Sequence, residues 1–180
     1  MSPVPVSIAP VLTTERTILR PHTLADFTDL AAMWADPDVV RHISGKPSTE
    51  TEAWARLLRY IGHWSLLGFG YWVVEDRADG TFLGEVGLAD YHRDIDPPFG
   101  GAPEAGWVMT TASHGRGLAR EAVRAVLAWA DTNLAANRTV CMIAPAHDAS
   151  LRLARDVGYA NESRARFMGG TVVVLERPKP

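Results

Sequence analysis

The stretch Ser113-His114-Gly115-Arg116-Gly117-Leu118-Ala119-Arg120-Glu121-Ala122 describes a tight turn that opens a helix. Glycine lets the backbone approach a ligand with no Cβ in the way, and the first turn of a helix carries unpaired N–H groups and a partial positive charge. A phosphate fits such a cradle. Behind the turn, Leu118, Ala122, Val126 and Trp129 fall on one helical face, and Val123, Leu127, Ala130 and Leu134 on the adjacent row. That helix is apolar over much of its girth and is expected to be largely buried. Glu104 to Thr110 reads as a short strand leading into the turn, and Thr139 to Ala144 as a continuous apolar run of the kind that forms a central strand. Strand, helix, strand in this order suggests a parallel pair.

Outward from this unit the pattern changes. Val11 to Pro21 is rich in β-branched residues and stops at a proline, which predicts a first strand. Leu24, Phe27, Leu30, Ala31 and Trp34 fall at helical spacing with Thr23 as N-cap, and a second helix starts at the Thr49–Glu52 capping box with Trp54, Leu57, Leu58, Ile61 and Trp64 as its apolar stripe. Tyr71 to Val74 and Phe82 to Leu88 flank Asp79-Gly80, an antiparallel hairpin. His92 to Pro103, with Pro97, Pro98, Gly100 and Gly101, reads as loop. A short helix from Asp148 to Gly158 and two closing strands, Tyr159 to Phe167 and Thr171 to Glu176, complete the chain. The expected fold is mixed α/β, a mostly antiparallel sheet of six to seven strands holding one parallel pair, with about four helices.

The 180 residues, 47% apolar and 22% charged, suit one globular domain over 11–180, and the proline-interrupted residues 1–10 read as a flexible arm. A formal charge of −3 with no basic run argues against nucleic acid as a partner, and no apolar run approaches the length that crosses a bilayer. The single cysteine, Cys141, sits among apolar neighbours and fits a core position in a reducing cytoplasm. The six histidines show no metal-ligand spacing, so no metal is expected. A dinucleotide fingerprint fails at its third glycine position, which is Arg120, and a P-loop lacks its Gly-Lys-Ser/Thr ending.

With the elements placed, the chain resembles the GCN5-related N-acetyltransferases, most closely the branch acting on ribosomal-protein N-termini, from Leu12 to about Phe167. The resemblance rests on Leu12 to Pro21, Asp26-Phe27, Gly84-Glu85-Val86-Gly87-Leu88 and Glu104-Ala105-Gly106-Trp107, in the family's order. The coenzyme A turn of that family matches His114-Gly115-Arg116-Gly117-Leu118-Ala119 at the glycine and the small residue, with His114 a departure at its first position. The family's Asn-x-x-Ser stretch appears as His147-Asp148-Ala149-Ser150, and the place of a frequent catalytic tyrosine is taken by Ala154.

The resemblance implies acetyl transfer from acetyl-CoA to an amine, of a small molecule or of a peptide N-terminus, by a monomer or homodimer. It implies a splayed strand pair in which Val108, Met109 and Thr110 offer amides to the pantetheine arm. Gly115 to Ala119 would hold the pyrophosphate, with Arg116, Arg120, His147 and Ser150 nearby. An amine near pKa 10 is protonated at neutral pH and needs a base before it attacks. Glu104 and Glu85 are the candidate bases, although an outward strand carboxylate or a strand-start structural residue gives the same pattern. Ser150 is the candidate proton donor to the departing thiolate, or simply a first-turn serine. Trp64 and Phe69, with His92 in the proline-rich loop, are the candidates for the acceptor pocket, and Asp90, Asp94 and Asp96 near that loop either attract a cationic amine or are ordinary solvated charges. A coenzyme A sensor without catalysis is the alternative of a different class.

Overall fold

The computed structural model describes residues 8–180. In chain order the strands are β1 (Leu12–Thr13), β2 (Thr17–Arg20), β3 (Tyr71–Asp76), β4 (Phe82–Ala89), β5 (Ile95–Asp96), β6 (Glu104–Met109), β7 (Arg138–Ile143), β8 (Ala160–Phe167) and β9 (Gly170–Pro178). The helices are α1 (Phe27–Ala35), α2 (Pro37–Val40), α3 (Glu50–Leu67), α4 (Leu118–Asn133) and α5 (Asp148–Asp156). The strands form one sheet in the order β1-β2-β3-β4-β6-β7-β9-β8-β5. All neighbours run antiparallel except β6 and β7, so the expected mixed sheet with one parallel pair is what the chain builds.

Three local expectations are corrected. The first strand is two short ones, because Thr14 folds the chain back so that Leu12 pairs with Leu19 and Thr13 with Ile18. The loop from His92 to Pro103 contains β5, whose Ile95 is buried and pairs with Phe167 at the far edge of the sheet. In α3 the buried face is Ala53, Leu57, Tyr60 and Trp64, while Trp54, Leu58 and Ile61 are exposed. Both sets repeat at helical spacing, and the helix turns the aromatic Tyr60 inward to stack on Tyr71 with ring centroids 4.5 Å apart.

The sheet separates two cores. Leu30, Met33, Trp34, Val40, Leu57 and Tyr60 from α1, α2 and α3 cover the face that carries Tyr71, Ala89 and Val108. The opposite face, with Trp72, Val86, Leu88 and Ala105, lies under Leu118, Ala122, Val126 and Leu127 of α4. The capping residues act as read, since the Thr49 and Glu52 side chains reciprocally bond each other's backbone N–H. Of the arm read over residues 1–10, positions 1–7 lie outside the described residues. Ala9 is buried, and the Pro10 carbonyl accepts the Trp72 indole N–H at 2.7 Å. Among the described residues no helix is long and apolar enough to cross a membrane.

Candidate active site

The parallel pair is barely a pair. β6 and β7 share one register position, Glu104 opposite Val140, with the Val140 N–H bonded to the Pro103 carbonyl at 3.0 Å. Beyond it the strands diverge. On its other side β6 is fully laddered to β4, with Glu85 opposite Val108 and Gly87 opposite Gly106, and the Thr110 N–H reaches Leu83 O at 2.9 Å. Backbone groups alternate along a strand, so Gly106, Val108 and Thr110 spend theirs on β4 while Trp107 and Met109 turn theirs into the gap. Of the three residues expected to offer amides, Met109 faces the gap, while Val108 and Thr110 do not and Trp107 does.

The gap opens into a cleft enclosing about 980 Å³. Its walls come from both halves of the sheet, with Trp34, Arg56 and Tyr60 on one side and Cys141, His147 and Ser150 on the other. Glu104 lies on this wall, 6% exposed. Its two oxygens receive the Arg93 guanidinium, Nε at 2.5 Å and Nη2 at 2.8 Å. Arg93 is itself flanked by Tyr91 and Phe167 rings. A carboxylate has about four lone-pair sites, so about two remain for other donors. The Tyr91 hydroxyl is pushed up by burial first.

Ser150 is in the first turn of α5 and accepts the Trp107 indole N–H at 3.2 Å. An indole nitrogen can only donate, so the serine keeps its own O–H for another acceptor. His147, at the start of the same helix, stacks on His42 with centroids 4.7 Å apart, joining the loop after α2 to α5. Burial, and then the neighbouring His42 and His114, hold His147 below the ordinary histidine range, so it is neutral at pH 7.

The glycine turn sits apart from the cleft lining. Gly115 and Gly117 have φ of +73° and +75°, and Gly117 is the N-cap of α4. The first intrahelical bond runs from the Glu121 N–H to Gly117 O, so the Leu118, Ala119 and Arg120 amides have no helical partner. The β1–β2 turn pins the site from behind. Glu121 accepts from Thr14 Oγ1 at 2.6 Å and the Arg16 N–H at 2.7 Å, and Arg16 Nη1 holds the Arg116 carbonyl at 2.9 Å. Arg116 and Arg120 are tethered to Asp76 and Asp156 at 3.3 and 3.7 Å. His114 Nε2 lies 3.1 Å from Met109 O.

Other expected site residues fall elsewhere. Glu85 is 0% exposed and does not reach the cleft: His22 Nε2 lies 2.8 Å from one oxygen and the Trp34 indole donates to the other at 2.9 Å. Trp64 is not an acceptor-pocket residue. It reaches over Gly70 into the α4 core, against Trp72 and Trp129, with its indole N–H on Tyr71 O at 3.0 Å, and Phe69 packs on the same cluster. His92 stands at the cleft rim with its side chain 91% exposed. The residues that sequence reasoning passed over are Arg93, Tyr91, Tyr71, Arg56 and Arg59, all lining the cleft. Gly106 was one signal for them. A Cβ there would overlap the Tyr71 hydroxyl oxygen, so that glycine exists to admit the tyrosine. Gly106→Ala is expected to displace Tyr71 and cost about 1–3 kcal/mol, read as a lower unfolding midpoint in urea with unchanged slope.

Among the described residues no group of three or more His, Cys, Asp or Glu gathers as metal ligands would. The comparisons with known proteins agree with the geometry. Residues 16–160 match the family described as Acetyltransferase (GNAT) domain. A solved protein from Bordetella pertussis, described as a GNAT-family acetyltransferase, is 36% identical with a TM-score of 0.83, covering 94% of this chain and 99% of that one. An N-acetyltransferase of Bacillus licheniformis, p20, is 27% identical over 157 residues, 86% of this chain and 85% of its own. RimL, the ribosomal L7/L12 alpha-N-protein acetyltransferase solved with coenzyme A, shares the fold at a TM-score of 0.76 and 13% identity, covering 94% and 98%.

Proposed function

We propose, from the premise that this chain belongs to the GNAT acetyltransferase family, that it moves the acetyl group of acetyl-CoA onto a primary amine of a small molecule or a peptide N-terminus. The observation that carries the reading is the single rung between β6 and β7, which leaves a slot lined by backbone donors where a pantetheine arm can lie in extended form. The bare amides from Gly115 to Ala119, at the N-terminus of α4, suit the pyrophosphate. The residues present therefore fit the co-substrate.

Within that reading each group has a task. The Trp107 or Met109 N–H stabilises negative charge on the thioester carbonyl oxygen as the amine adds. Glu104, through the lone pairs that Arg93 leaves free, takes the proton of the ammonium directly or through one water. As the C–S bond breaks, the nitrogen sheds its second proton to Ser150 while the serine hydroxyl passes its own to the coenzyme thiolate, so the hydroxyl is restored in the same step, with Trp107 fixing it in place. His147 takes the place of the family's asparagine beside the arm.

Titration calorimetry with coenzyme A, followed by thiol release with a panel of amines, tests this. Binding at one molecule per chain and thiol release with at least one amine are expected. No heat with either coenzyme A or acetyl-CoA would end the proposal, and binding without release from any amine would end its catalytic half.

A further inference from the structure

Most partly buried arginine heads in this protein have a carboxylate partner. Arg20 is held by Asp26 and Glu75, Arg93 by Glu104, Arg138 by Glu176 and Arg177 by Asp131. Arg56 departs from this pattern. Its guanidinium lies 3.4 Å from the centre of the Trp34 ring, its Nε is shielded from solvent with no hydrogen-bond partner, and among the described residues it forms no ion pair. Trp34 cannot drift, since its indole N–H is fixed on Glu85 at 2.9 Å. One turn on along α3, Arg59 lies over the Tyr91 ring at 5.0 Å and likewise has no carboxylate within ion-pair distance. A shielded guanidinium N–H with no acceptor, as at Arg56 Nε, costs free energy unless something anionic meets it. Both arginines face the cleft that holds Glu104 and Gly106.

We propose that the acceptor carries its own anion: Arg56 and Arg59 receive a carboxylate attached a few bonds from the reacting amine, while the amine points to Glu104. The inference rests on the acetyl-transfer reading above and narrows its acceptor. The charges facing this wall are mixed. Lys46 adds a positive charge, 3.8 Å from Glu52, and Asp90 and Asp94 also line the cleft, with the Asp90 carbonyl 3.1 Å from His63 Nε2 of α3. A polyamine is disfavoured, because it would place a cation against Arg56. The carboxylate belongs either to a free amino acid or to an acidic residue next to a peptide N-terminus.

The test uses the full chain with acetyl-CoA and matched acceptors: free glutamate against glutamine amide, peptides beginning Ala-Glu against Ala-Gln, and spermidine. The acidic member of one pair should show kcat/KM about tenfold above its neutral partner, the value of one charged hydrogen-bonded contact. The pair that responds identifies the source. Arg56→Gln and Arg59→Gln should each bring that ratio toward one, with KM for acetyl-CoA unchanged. Arg59 is exposed, so its variant carries the test if Arg56→Gln melts early. Preference for spermidine, or a ratio that survives both substitutions, would overturn the proposal. If coenzyme A binds but no amine is acetylated, the catalytic reading fails on its own. The anion claim is then decided by calorimetry on the coenzyme-saturated protein, where an N-acetylated Ala-Glu peptide must bind about tenfold tighter than its Ala-Gln counterpart.

Discussion

Glu104→Gln lowers kcat by about 10²-fold or more, the usual worth of a positioned general base, and leaves the dissociation constant for coenzyme A nearly unchanged. The change keeps the shape of the side chain and its carbonyl oxygen can still accept one bond from Arg93, but an amide cannot take a proton from an ammonium. Glu104 occupies the point where β6 parts from β7 and lines the cleft there. Steady-state kinetics with a saturating amine, beside calorimetry with coenzyme A, separate the two effects. Equal kcat would remove Glu104 as the base and pass the task to the neutral His147. A loss confined to coenzyme affinity would show that Glu104 only shapes the slot.

Glu85→Ala destabilises the fold by about 3 kcal/mol or more, whereas Glu85→Gln costs far less. Glu85 is the hub of a dry network, accepting from Trp34 and meeting His22, whose own side chain is 1% exposed. Alanine leaves the indole N–H and the His22 ring without partners and opens a cavity beneath α1. Glutamine can accept from Trp34 and donate to a neutral His22. The measured signature is a melting temperature lower by roughly 6–12 °C for alanine in a domain of this length, against a small shift for glutamine. Similar losses in both variants would mean that the charge itself, paired with a protonated His22, is what the core requires.

Much of this architecture was readable because local signals agreed with the tertiary outcome. The glycine turn, the girth of α4, the Asp79-Gly80 hairpin and the Thr49–Glu52 cap each have one solution, and each formed. The misreadings share a cause. In α3 two apolar stripes compete, and the choice of Tyr60 over Trp54 was made by the stacking of Tyr71 from another element. Trp64 stood out as a pocket residue by its place beside Gly68-Phe69-Gly70, but Gly70 clears its path to Trp72 and Trp129 on the far face. Arg56 and Arg59 fall at the polar positions of an amphipathic helix and carried no signal of their own, because the Trp34 and Tyr91 rings beneath them come from other elements. Glu104 was legible as a candidate; its clamp was not, because Arg93 reaches it from inside a proline-rich loop.

The lone rung between Glu104 and Val140 makes the sheet two plates joined at a seam, five strands on one side and four on the other. A ligand arm lying along Trp107 and Met109 would stand in for the missing rungs, so the sheet is completed only when loaded. Occupancy then becomes a source of cohesion, worth about 2.7 kcal/mol at a ligand concentration a hundred times Kd.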